Sequence, residues 1–161
     1  MSKLTFLVIH CTATPENRVV SKQQVIDWHC APPPKGHGWR KPGYTDMIHL
    51  DGSLENITPF DQDDEVDGYE MTNGVRGKNS ISRHIVYVGG CDYKMNPKDT
   101  RTPAQTDTLV AYVKYMVKRH PHIKIAGHYM FDSGKACPSF DVACFCEQLG
   151  ISKNNVYDPN K

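Results

Sequence analysis

Residues 4–9 form a short apolar, β-favouring run that predicts a buried strand, with His10, Cys11 and Thr12 just past its end. Residues 21–30 read as a helix. Ser21 and Gln24 have capping-box spacing, and Val25, Ile26 and Trp28 supply an apolar face. Residues 31–43 carry Pro32, Pro33, Pro34, Gly36 and Gly38 and must form a loop. Residues 44–50 alternate in part, Asp51-Gly52 marks a hairpin turn, and residues 54–58 return as the partner strand.

Residues 60–79 are polar, acidic at first, and long for a connection without structure of its own; such loops often carry function. Residues 82–88 predict the next strand, stopped by Gly89-Gly90. Thr102, Pro103 and Gln105 give the clearest helix start: an N-cap, a proline at the first helical position and a capping-box glutamine. Leu109, Val110, Val113, Met116 and Val117 continue that helix as a stripe, and Lys118, Arg119 and His120 suit its negative end. Residues 123–126 predict another short strand, and residues 139–149 a last helix closed by Gly150. Residues 152–161 read as a loose polar tail. The order is strand, helix, hairpin, strand, helix, strand, helix. It predicts the α/β class, with a central mixed sheet and helices packed on it.

At 161 residues the chain fits one domain with a real core, and its 39% hydrophobic and 23% charged content is that of a soluble globular protein. The net charge of +1 provides no strong field toward nucleic acid or an anionic membrane. No apolar run reaches the length of a membrane span. The N-terminal residues show no small-residue cleavage site, so no secretory signal is read. The six cysteines are scattered and form no CxxC pair, which argues against a four-cysteine zinc site and for small buried side chains in a reducing compartment.

Two histidines, His10 and His128, directly follow short buried strands, and strand ends along one sheet edge lie close in space. Cys137 follows nine residues after His128 on a Gly-containing loop. Two imidazoles and a thiolate suit one Zn²⁺ ion and leave a fourth position open for water, as a hydrolytic site requires. Spacing alone also fits many unrelated histidine–cysteine sets. Cys144 and Cys146 point in different directions on a helix, and Cys11 should face away from His10 in a strand, so none of the three is taken as a ligand.

Specific segments narrow the reading. Residues 9–14 (Ile-His-Cys-Thr-Ala-Thr) and 135–141 (Lys-Ala-Cys-Pro-Ser-Phe-Asp) together resemble the zinc-dependent N-acetylmuramoyl-L-alanine amidases of the phage-lysozyme type, relatives of the peptidoglycan recognition proteins. The resemblance continues in order through Trp28-His29, Gly43-Tyr44, Asp51-Gly52, residues 88–90 and residues 102–105, and spans about residue 6 to about residue 149. It implies zinc ligands at His10, His128 and Cys137, and catalytic roles for Tyr44 and Lys135. It also implies a catalytic domain over residues 1–150, with residues 151–161 as a polar tail and the zinc in a surface groove at strand ends.

The implied reaction is hydrolysis of the amide between N-acetylmuramic acid and L-alanine in peptidoglycan, a cell-wall lytic activity. Lys135 would stabilise the oxyanion. Tyr44 would donate a hydrogen bond or relay a proton, and the general base is either Tyr44 or a hydroxide already formed on the metal. The competing reading is a recognition module that binds peptidoglycan without cutting it; Cys137, whose loss marks the non-catalytic relatives, favours the enzyme. The expected protein is a monomer made without a signal peptide that acts on the wall after release or delivery. The chain departs from the family at Thr45, where histidine is common, and in residues 32–35 and 61–78, which are expected to line the groove. His29, His49 and His84 are expected to be structural or groove-lining, and Trp39 to stack on a sugar or anchor its loop.

Overall fold

The computed structural model describes residues 2–161. In chain order these hold β1 (Ser2–Lys3), β2 (Phe6–Cys11), β3 (Thr14–Pro15), α1 (Lys22–Cys30), β4 (Asp46–Ile48), β5 (Leu54–Asn56) and β6 (Glu65–Val66). There follow β7 (Ser82–Tyr87), β8 (Gly90–Cys91), α2 (Pro103–Arg119), β9 (Lys124–Gly127) and α3 (Val142–Gln148). The main sheet has five strands in the order β5-β4-β7-β2-β9; β5 is antiparallel and the others run parallel. Parallel strands are covered on both faces, which is why β2 and β7 are buried along their whole length.

Successive side chains of β2 go to opposite faces. Leu7 and Ile9 join the core built with Leu109, Val113 and Met116 of α2 and Val142 and Phe145 of α3. The opposite face carries Met47 and Val86 under Val25 of α1. Both capping boxes form as expected, at Ser21/Gln24 and Thr102/Gln105. Gln105 does more than cap: it is buried, and its Nε2 donates to the Val88 carbonyl at 2.9 Å, tying α2 to the sheet.

Four features differ from the sequence expectation. β2 runs on through Cys11 because β7 pairs with it as far as Tyr87, so His10 lies inside the strand instead of past its end. α3 begins at Val142, not at residue 139; Ser139 has φ 70°, and Asp141 caps the helix by accepting from Cys144 N–H at 2.9 Å. Residues 60–79 are knit by Glu70, whose carboxylate accepts the Asp61 and Asp67 N–H groups at 2.7 Å each. They also contribute β6 to a two-stranded ribbon with β1. The C-terminal segment is docked, not loose: buried Asn155 donates to the Pro121 and Ile123 carbonyls at 2.8 and 2.9 Å, and Tyr157 stacks on Phe131 at 4.8 Å.

Candidate metal centre

Ile9 of β2 pairs with Gly127 of β9, so His10 and His128 follow on adjacent chains at the same end of the sheet, with ring centroids 4.8 Å apart. The loop after β9 brings Cys137 back to them. It is pinned by Tyr129 N–H to the Cys137 carbonyl (3.0 Å), by Tyr87 Oη–H to the Pro138 carbonyl (2.6 Å) and by Cys11 N–H to Cys137 Sγ (3.2 Å). One donor atom from each of His10, His128 and Cys137 lies within 4.8 Å of the others, the only such trio among the described residues.

The donor set fits zinc. Zn–N and Zn–S bonds of about 2.0 and 2.3 Å at a tetrahedral angle put nitrogen and sulfur about 3.5 Å apart. His10 Nδ1 stands 3.7 Å from Cys137 Sγ.

Ligation needs neutral imidazoles, and the local field keeps those of the cluster neutral. Burial pushes His10 well below the usual histidine range, with help from His84 and His128, and brings His84 to about 3. His128 is lowered by burial and by the Lys135 ammonium. The hydrogen bond to Cys11 and burial push the Cys137 thiol up, against the thiolate that ligation needs, and that same bond brings Cys11 down to about 7. Cys11 stays outside the donor trio as expected. Its side chain is not isolated from the site, however, since it reaches both Cys137 and Ser139.

Tyr44 is half-buried, its ring 5.2 Å from that of His10 and 5.1 Å from that of His29. Burial and the two thiols raise its phenol far above the ordinary value. His29 takes a structural part: its Nδ1 accepts the Gly43 N–H at 2.9 Å and so holds the backbone next to Tyr44. Trp39 is exposed and stacks on both His29 and His37. His49 is bonded to Glu55 and is not among the donor trio.

Lys135 is exposed, and its charge is felt at both His128 and Cys137. Sequence reasoning missed the closeness of His84, which touches a donor residue directly. The strand register alone signals it: Val8 pairs with His84 and His10 with Val86, so the two histidines share a face.

The fold and this cluster define a class: a single α/β sheet domain with three side chains that could hold a metal ion at the carboxyl ends of parallel strands. The N-acetylmuramoyl-L-alanine amidase family model matches residues 1–140, and the chain belongs to that family. It is a cell-wall lytic amidase of the type 2 group. An endolysin of Enterobacteria phage K11 is 34% identical over 134 residues, which are 83% of this chain and 80% of that protein. Among solved structures, the amidase LysC from Clostridium intestinale URNW superposes with a TM-score of 0.68 at 20% identity, covering 94% of this chain and 88% of its own. Drosophila PGRP-LB superposes with a TM-score of 0.65 at 17% identity, covering 98% and 85%. At these identities the last two speak for the fold.

Proposed function

We propose that the chain cuts the amide between the lactyl group of N-acetylmuramic acid and L-alanine with one Zn²⁺ ion held by His10, His128 and Cys137. The convergence of those three donor atoms within 4.8 Å carries the reading. Zinc bound there supplies Lewis-acid polarisation of the scissile carbonyl and acidifies the attacking water. The protein supplies the rest. Cys11 N–H, directed at Cys137 Sγ, favours the thiolate. Lys135, exposed beside His128, offers a cation to the carbonyl oxygen as negative charge develops on it, a contact of the kind worth about 3 kcal/mol. Tyr44, held protonated by its surroundings, offers a hydrogen bond to the reacting amide from beside His10.

The match to phage endolysins supports action on the wall from a chain made in the cytoplasm and released or delivered to its substrate. No helix among the described residues is long and apolar enough to cross a membrane. The direct assay incubates the protein with purified sacculi and counts new free L-alanine amino termini. Release that stops with a chelator and returns with zinc is the expected result; binding to sacculi without release, with zinc present, contradicts the proposal.

A further inference from the structure

We propose that His84 is the positioning residue of the metal centre: its Nδ1 accepts a hydrogen bond from His10 Nε2–H, which fixes the His10 tautomer and turns a bare Nδ1 toward the metal. The inference rests on the zinc reading above and adds a residue to it.

The geometry is direct. His10 Nε2 and His84 Nδ1 are 2.9 Å apart, and both rings are buried. The other nitrogen of His10, Nδ1, is the one that faces Cys137 Sγ. A neutral imidazole has one N–H and one bare nitrogen, and only the bare nitrogen can bind a metal. If His10 ligates through Nδ1, its hydrogen must sit on Nε2, and His84 must receive it. His84 then carries its own hydrogen on Nε2.

That Nε2 is buried and has no partner among the described residues. An orphaned buried N–H costs about 1–3 kcal/mol, which an apolar side chain in the same place would avoid. The reverse arrangement, with His84 donating to His10, would put the His10 hydrogen on Nδ1 and close it to metal. His84 Nε2 is without a partner in either arrangement; what selects the first is that it alone leaves His10 Nδ1, the nitrogen facing Cys137 Sγ, free to ligate.

His84 is itself held firmly. Thr45 N–H donates to its carbonyl at 2.8 Å, and its own N–H donates to Thr45 Oγ1 at 3.2 Å. Its ring lies against Gly74, where a Cβ would come within 2.3 Å of Nδ1, so glycine there is what lets the imidazole reach His10. Partners of this kind, on the nitrogen that does not bind the metal, set ring orientation, and their loss typically weakens metal binding by about 10–100-fold.

The test compares the unsubstituted protein with His84→Leu and His84→Asn. Asn Oδ1 can take the place of Nδ1 as acceptor; Leu cannot accept. Long-range proton–nitrogen NMR on the folded protein before zinc is added should show the His10 hydrogen on Nε2. Chelator competition should show zinc held about 10–100-fold more weakly by His84→Leu, with binding largely restored in His84→Asn. A hydrogen on His10 Nδ1, unchanged zinc affinity in a folded His84→Leu protein, or an Asn variant as weak as the Leu variant overturns the proposal. Should His84→Leu fail to fold, the NMR result and the Asn variant decide it. Failure of the unsubstituted protein to take up zinc at all overturns the zinc reading instead, and the NMR measurement still decides the hydrogen bond.

Discussion

Ile9 and Gly127 lie opposite each other in the β2–β9 ladder, and the next residue on each chain is a histidine of the donor cluster. Gly127 is also where the chain turns from strand into the loop that returns Cys137. A Cβ there would come 2.6 Å from Tyr129 Cε1 and 2.9 Å from Val142 Cγ2. Gly127→Ala should therefore lower stability by about 1–3 kcal/mol, read from urea unfolding, and weaken zinc binding as His128 is displaced. Unchanged stability and zinc affinity would mean that the loop gives way without moving the ligand.

His128→Ala and Cys137→Ser should each abolish release of amino termini from sacculi while leaving circular dichroism unchanged. Cys144→Ser, exposed on α3, should retain full activity. Chelation should remove activity with the fold largely intact. A chelator that unfolds the protein would instead mark the metal as structural.

Acid should destabilise the protein before zinc is added. His10 and His84 are lowered in the fold, His84 to about 3, against an ordinary value near 6.5. Below about 6.5 the unfolded chain binds protons that the folded chain refuses, so stability is full above that pH and falls as pH drops toward the folded values. One unit below 6.5 the loss is about 1.4 kcal/mol from His84, and His10 adds to it in the same direction. Urea midpoints at pH 7.5 and 5.5 give the comparison; a flat profile would contradict the burial of neutral imidazoles.

Asn155→Ala should cost about 1–3 kcal/mol, because the Pro121 and Ile123 carbonyls lose their Asn155 donor. Its turnover of sacculi should match the unsubstituted protein, since Asn155 contacts the segment leading into β9, opposite the metal end of that strand. Thermal melts and the sacculus assay separate the two effects.

The strand and helix pattern was readable because the elements that hold the site announce themselves locally. β2 is an apolar run, α2 carries a proline-bearing capping box, and Asp51-Gly52 turns a hairpin. The donor trio was readable through the matching segments around His10 and Cys137, and the fold brings its three side chains together. What escaped depends on partners far away in sequence. The docking of Asn155 needs the Pro121 and Ile123 carbonyls, and the ordering of residues 60–79 needs the buried Arg83 beside Glu70. The His10–His84 bond spans 74 positions and needs the β2–β7 register. No local periodicity carries such pairings.

X-ray absorption at the zinc edge, on protein loaded with one equivalent of zinc, tests the central claim most directly. Two nitrogen scatterers at about 2.0–2.1 Å, one sulfur at about 2.3 Å and one further light atom are expected, with the sulfur lost in Cys137→Ser. A shell without sulfur, or one closed by a fourth protein ligand, would contradict it.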